Sequence, residues 1–337
     1  MLAFVMTPNA DIQVIINPAS AAWKTQSRIP AIAGALERRF PHRCAFTVTR
    51  EPGDAAGVAA RAVRSAASLI VAVGGDGTVN EIVHGVIEAA REGFPACPLG
   101  LISSGSGCGL ALSLRLPPAL DEQVRAIAEC SPRQVDAGVV SFGEPGRSGE
   151  RDRYFINECQ IGIGADVVTR TRGGRKSAGG LIGYGLGTLS ALFLSPNIDV
   201  RLSIDGGEES SVSVLGIAIG NGDVTAGGMS LTPGAEPDDG ALNLLTIGAL
   251  SRFSRLRSFP KIYAGTHVGA RGFSYRAIQT CMVSGSRPLP VSADGEVIGT
   301  LPCTITILKR AIEFRAPHRP LITAAGERDA RHAEARI

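Results

Sequence analysis

Residues 69–86, LIVAVGGDGTVNEIVHGV, pass from five apolar residues into Gly74-Gly75-Asp76-Gly77-Thr78 and then into a helical pattern. Glycines let backbone N–H groups approach a phosphate closely, and a helix start adds a favourable dipole. A carboxylate there repels phosphate unless a cation or a hydroxyl stands between them. Asp76 therefore points to magnesium-linked or proton-accepting chemistry rather than a plain phosphate cradle. The plainer alternative is a tight turn in which Asp76 caps the next helix. A second small-residue loop, Ser103-Ser104-Gly105-Ser106-Gly107-Cys108-Gly109, follows the next apolar run. At the carboxyl edge of a parallel sheet two such loops form a cleft. The chain has no Gly-Lys dipeptide and no GxGxxG, which excludes a Walker A loop and the usual dinucleotide fingerprint. Two further acidic turns, Pro237-Asp238-Asp239-Gly240 and Ala293-Asp294-Gly295-Glu296, read on their own as a surface turn and a hairpin turn.

The elements that must position these loops alternate. Residues 12–16 form an apolar strand stopped by Asn17-Pro18-Ala19-Ser20. Helices are predicted over 26–40, 54–65 and 79–90, and strands over 45–49, 69–73 and 99–102. This order predicts an α/β N-terminal domain with a parallel sheet covered on both faces, residues 10–138. After about Asp136 the pattern changes. Strands are predicted over 155–168, 199–204, 211–220, 241–247, 277–284 and 304–308, with helical insertions at 180–194 and 251–264. A second, mostly antiparallel β domain is expected over 152–316, with a polar tail over 317–337 expected to be disordered.

Composition sets outer limits. The 337 residues are 44 % apolar and 19 % charged, enough apolar material for two globular domains. A net charge of +3 does not argue for nucleic acid. The seven cysteines lack a CxxC pair and read as buried thiols of a reducing compartment. The five histidines lack metal-ligand spacing, which disfavours metal hydrolase chemistry. No signal peptide and no membrane span are expected.

In this order the loops resemble the diacylglycerol kinase catalytic domain family, which includes bacterial soluble lipid kinases, sphingosine kinases and ceramide kinases. The strongest piece is GGDGTVNEIVHGV, residues 74–86. GGDGT alone is also similar to NAD kinases and phosphofructokinases, whereas Asn80-Glu81 and Gly85 favour the lipid kinases. The resemblance implies an NAD kinase/phosphofructokinase-like first domain and a β-sandwich second domain. It also implies that Asn17, Ser20, Thr49, the run Gly74, Gly75, Asp76, Gly77, Thr78, Val79 and Asn80, and Ser106 contact ATP. GSGxGLA is closer to the sphingosine kinase side. LTPGAEPDDGALNLLTIG looks like a magnesium-holding segment, with the Asp239 carboxylate and the carbonyls of Glu236 and Ala241 as ligands, an oxygen set that suits a hard cation. Asp294-Gly295-Glu296 resembles the family's DGE motif, which implies Glu296 as general base with Asp294 beside it. In sphingosine kinases the acid equivalent to Asp76 is itself a candidate base. Asp136, Lys176 and Tyr184 fall where the family places polar residues near the cleft. Cys108 and Gly109 depart from the expected Asn and Asp, and Ala21 from the glycine of NPxSG. These departures put nucleotide affinity or turnover in question.

The resemblance thus implies ATP- and Mg2+-dependent phosphorylation of a lipid hydroxyl, on a diacylglycerol-, sphingoid- or phosphatidylglycerol-like acceptor. The expected location is cytoplasmic, peripheral at the inner membrane face. Basic stretches around Arg170, Arg172, Arg175 and Lys176, and Arg252, Arg255, Arg257 and Lys261, would suit anionic lipids, although a core helix with a charged end reads equally well. A lipid substrate at a membrane surface is the expected partner, without nucleic acid, and a homodimer is left open. Two alternatives remain: a kinase of a soluble hydroxyl acceptor, NAD kinase-like, and a lipid-binding or regulatory module without catalysis.

Overall fold

A computed structural model describes residues 10–104, 108–143, 152–173, 187–188, 190–225 and 228–317. The four N-terminal apolar runs are strands β1 (Ile12–Ile16), β2 (Cys44–Val48), β3 (Leu69–Gly74) and β4 (Leu99–Ser103), paired in parallel in the order β2-β1-β3-β4. Alternate residues of each strand serve opposite faces. Ile12, Val14 and Ile16 pack with α1 (Lys24–Arg39) and α5 (Leu120–Glu129), whereas Ile15, Ile70 and Ala72 pack with α2 (Asp54–Arg64) and α3 (Asp76–Arg91). A short helix, α4 (Gly109–Ser113), follows the second glycine loop.

A long antiparallel pair, β5 (Pro132–Phe142) and β17 (Cys303–Arg315), carries the sheet onward. Phe314 of β17 pairs in parallel with Leu99 of β4, so one hydrogen-bonded path connects both halves. Beyond it lie β6 (Arg153–Phe155), β7 (Glu158–Gly162), β8 (Ile198–Ile204), β9 (Ser210–Gly220), β12 (Leu242–Gly248), β13 (Phe273–Ile278), β14 (Thr280–Gly285), β15 (Pro290–Ala293) and β16 (Glu296–Thr300), all paired antiparallel. A two-stranded pair, β10 (Val224–Thr225) and β11 (Met229–Ser230), stands apart. Helices α6 (Ile163–Gly173) and α7 (Arg252–Tyr263) flank this second half. The architecture is a mostly parallel N-terminal sheet followed by an antiparallel β-sandwich.

Some elements differ from the sequence reading. The strand expected over 155–168 breaks into β6, β7 and α6. Gly162 adopts φ +80°, and a Cβ there would meet the Leu215 carbonyl at 2.7 Å, so the extended chain ends and a helix begins. The strand expected over 277–284 is two strands, because the Asp205 carboxylate accepts the N–H groups of Gln279 and Thr280 at the bend. Helix α3 starts at Asp76 rather than Val79. Of the helix expected over 180–194, residues 180–186 and 189 lie outside the described residues, and 190–194 are helical. Among the described residues no helix is long and apolar enough to cross a membrane.

Candidate active site

The GGDGTVNEIVHG run assigns a contact to nearly every polar residue. Gly74 has no room for a side chain, since a Cβ would lie 2.5 Å from the Thr78 hydroxyl. Thr78 in turn accepts a hydrogen bond from the Asn17 amide at 2.9 Å, which joins the Asn17 loop to the GGDGT turn. Asn80 donates to the Tyr154 carbonyl and to the Asp294 carboxylate, both at 2.8 Å. The Glu81 carboxylate accepts the Ala55 N–H at the start of α2, and burial raises its pKa. Gly85 lets α2 approach, because a Cβ there would come within 2.1 Å of the Ala56 carbonyl.

Asp76 does not cap its own helix. Its carboxylate crosses to the second loop, accepting the N–H groups of Gly109 at 2.9 Å and Leu110 at 3.0 Å and the Cys108 thiol at 3.2 Å. Cys108 therefore keeps a donor where the family pattern has an amide. Burial first, and the Asp76 charge second, raise its pKa well above the ordinary thiol range, so it stays protonated to donate. Gly109 is equally constrained: a Cβ would lie 2.6 Å from the Val224 carbonyl. Ala21, Ala22 and Trp23 have φ of 53°, 55° and 70°, so the first loop takes a left-handed path without a glycine, at roughly 1 kcal/mol per residue. Ser20 donates to the Asn17 carbonyl at 2.7 Å, and Thr49 to the Ile16 carbonyl at 3.4 Å. Ser106, Lys176 and Tyr184 lie outside the described residues.

The two acids of the DGE turn do different things. Asp294 is buried and accepts four hydrogen bonds, from Asn80 and from the N–H groups of Ile156, Asn157 and Glu158, at 2.8 to 3.0 Å. Burial lifts its pKa to about 6 even though these bonds favour the anion. Glu296 is exposed, and its Oε1 lies 3.9 Å from where a Cβ on Gly77 would stand. It lines an open cleft of about 920 Å³, mouth included, with Asn17, Ser20, Thr49, Gly75, Gly77, Thr78 and Glu81. Trp23, the only tryptophan and 62 % exposed, lines it too.

The Asp239 turn sits elsewhere, folded against β5 and β17. Asp136 accepts the N–H groups of Gly240 at 2.8 Å and Arg310 at 2.7 Å, Arg133 pairs with Asp238 at 2.8 Å, and Arg115 pairs with Glu236. One Asp239 oxygen accepts the Ala241 N–H at 2.9 Å, and burial raises its pKa. A carboxylate with the nearby carbonyls of Glu236 and Ala241 is an all-oxygen set whose chemistry fits magnesium. Among the described residues, no cluster of three or more His, Cys, Asp or Glu side chains could hold a metal.

On the other side of the DGE turn lies an apolar cavity of about 910 Å³, mouth included, between β7, β9, α6 and α7. Ile161, Val167, Leu192, Leu215, Leu231 and Phe259 are among its walls, and Glu158, Gln160 and Gly295 stand in it. Arg255 also borders it, but is 6 % exposed and donates to the carbonyls of Leu192, Ser195 and Leu250 and to Asn197, so it holds the wall rather than a basic surface. The sequence reading missed Trp23, Glu158 and this cavity's outline. A charged residue inside the apolar run YFINECQIGIG was the available signal for Glu158.

Comparison with known proteins gives matches over both halves. The diacylglycerol kinase catalytic domain family matches residues 11–140, and the YegS C-terminal NAD kinase beta sandwich-like domain matches 158–315. A curated relative from Chromohalobacter salexigens, "Probable lipid kinase YegS-like", is 32 % identical over 86 % of this chain and 87 % of its own length. The crystal structure of a diacylglycerol kinase from Bacillus anthracis superposes with a TM-score of 0.68 at 19 % identity, covering 91 % of this chain and 97 % of that one. An NAD kinase from Archaeoglobus fulgidus, in complex with ATP, superposes at 0.51 with 16 % identity, covering 94 % and 98 %. At these identities the two structures speak to the fold.

Proposed function

Because the chain belongs to the diacylglycerol kinase family of lipid kinases, we propose that it transfers the γ-phosphoryl group of ATP to a hydroxyl of a membrane lipid. One observation carries this reading: the DGE turn separates a polar cleft from an apolar cavity, with Glu296 lining the first and Gly295 the second. A triphosphate held by Asn17, Ser20, Thr49 and the loop 74–80 would point its γ-phosphate toward the turn. An acyl chain in the cavity would bring its hydroxyl to the same place from the other side. The ATP complex of the NAD kinase neighbour supports the choice of nucleotide.

Glu296 takes the proton of the lipid hydroxyl as its oxygen bonds to the γ-phosphorus and the bond to the β-phosphate oxygen breaks, releasing ADP. Asp294, saturated with donors, positions that turn. Asp76 fixes the second loop against the start of α3. Magnesium held at Asp239 with the Glu236 and Ala241 carbonyls would supply a fixed positive charge beside β5; magnesium entering with ATP would neutralise phosphate charge. The lipid reaches the cavity at a surface where Phe253, 76 % exposed, and Leu256, 46 % exposed, stand among Arg252, Arg257 and Lys261 on α7, a composition suited to an anionic bilayer.

The test is transfer of labelled γ-phosphate from ATP and magnesium into lipid in mixed micelles, with Asp76→Ala and Glu296→Gln alongside. Glu296→Gln is expected to lower kcat by roughly 10²- to 10⁴-fold with little change in KM for ATP. Comparable turnover in that variant removes Glu296 as base. Label appearing in a soluble alcohol but in no lipid overturns the acceptor.

A further inference from the structure

An acyl cavity needs no carboxyl group, yet this one has Glu158 in its wall. Glu158 is 8 % exposed and shares the cavity with Gly295, the residue beside Glu296. Its backbone is fixed by the DGE turn: the Glu158 N–H donates to Asp294 at 2.9 Å, and its carbonyl accepts the Asp294 N–H at 2.9 Å. Glu158 thus lines the cavity on the strand bonded to the DGE turn, where Gly295 also borders it. Thr225 and Gln160 lie within hydrogen-bonding reach of it, and a carboxyl group has lone pairs for more than two donors. Burial, with added repulsion from Asp294 and Asp76, lifts its pKa to about 7. Above about pH 7 the group is a carboxylate that only accepts, so it favours an incoming proton donor and disfavours an incoming acceptor.

Resting on the lipid-kinase reading above, we propose that Glu158 selects the acceptor, favouring lipids that carry a second proton donor next to the reacting hydroxyl. Two chemistries share this feature: a vicinal diol, as in a monoacylglycerol head, and an amino alcohol, as in a long-chain sphingoid base. Diacylglycerol has one hydroxyl flanked by ester oxygens, which only accept. Its esters would face the Glu158 carboxylate without a proton between them. A site built around a polar partner rejects an analogue lacking it far better than an apolar site rejects an extra group.

The experiment compares kcat/KM for monoacylglycerol, sphingosine and diacylglycerol in the same mixed micelles at about pH 8, where Glu158 is mostly the carboxylate, with the full chain, ATP and magnesium, for the wild type and Glu158→Gln. The wild type is expected to favour at least one of the two-donor lipids over diacylglycerol by about tenfold or more. The two arms separate the sources: a preference for both marks hydrogen bonding, and a preference for sphingosine alone marks pairing with its ammonium. Glu158→Gln is expected to bring the ratio at least about fivefold closer to one. A wild-type ratio of one, or one favouring diacylglycerol, overturns the proposal, and that measurement stands even if the variant does not fold. A ratio unchanged in a folded Glu158→Gln also overturns it. Absence of transfer to all three lipids by protein that binds ATP overturns the lipid-kinase reading, and the proposal with it.

Discussion

A buried acid at the end of an apolar cavity should weaken the fold as pH rises, and Glu158 gives the clearest measure of it. Its carboxyl moves from an ordinary value near 4.5 to about 7, chiefly through burial. The folded chain therefore holds a proton at pH values where the unfolded chain has released it. Stability from this group is complete below about 4.5 and is lost as pH rises through 7. Each pH unit between those values is worth about 1.4 kcal/mol, so moving from pH 5.5 to pH 8 should cost the wild type about 2 kcal/mol. Glu158→Gln has nearly the same shape and no charge, and loses nothing over that interval. Asp294 titrates in the same sense, and His84 and His267, whose pKa values burial lowers, in the opposite one. All three are present in both proteins, so the difference reports residue 158 together with its coupling to Asp294. The assay is urea unfolding at half-unit steps of pH. Glu158→Gln should gain about 2 kcal/mol on the wild type from pH 5.5 to 8. A constant difference across the series would refute the claim that this carboxyl is buried and strained by its charge.

Other perturbations have directions set by single contacts. Cys108→Ser keeps a donor for Asp76 and should hold kcat within a few-fold, whereas Cys108→Ala should lower stability by about 1 kcal/mol and kcat further, read by thermal melts and steady-state rates. Gly85→Ala drives a methyl group to 2.1 Å from the Ala56 carbonyl and should cost about 1–3 kcal/mol in a urea titration by forcing α2 from α3. Because Trp23 is the only tryptophan and lines the cleft, ATP with magnesium should change its fluorescence in a saturable way while a micellar lipid alone should not.

The parts of the fold carried by strong local periodicity were legible in the sequence. The runs IQVII and LIVAVG are apolar on both faces, and each became a buried parallel strand. The bend after Gly162 was hidden because CQIGIGADVV is apolar enough for either a strand or a helix, and only the close approach of Leu215 decides it. Residues 119–142 were not assigned beforehand. Their helix α5 and strand β5 take their burial from α1 and from β17, the latter 161 to 183 residues away in sequence. The acidic turns were visible as motifs, but not as opposites: nothing in Ala293-Asp294-Gly295-Glu296 says that the first acid is surrounded by amides while the second faces a cleft. The cavity was least legible of all, since its walls come from residues 158 to 295 and no local pattern marks a void between packed elements.

The hydrogen bonds of the site close into a ring that crosses both halves of the chain. Asp76 and Asn80 are four residues apart and so share a face of α3. Asp76 holds the start of α4, and Ser113 at its end donates to the Asn157 side chain at 3.2 Å. Asn157 gives its N–H to Asp294, and Asp294 accepts from Asn80, which returns the path to α3. A ring of this kind resists deformation because each member is held by two others, and its buried charges have no water to fall back on. Glu296 follows Asp294 by two residues and pairs across the hairpin with Ala293. Its carboxylate lines the cleft, whereas that of Asp294 belongs to the ring. The proposed mechanism follows that division of labour, giving Asp294 the holding and Glu296 the proton transfer, although sequence presents them as a pair.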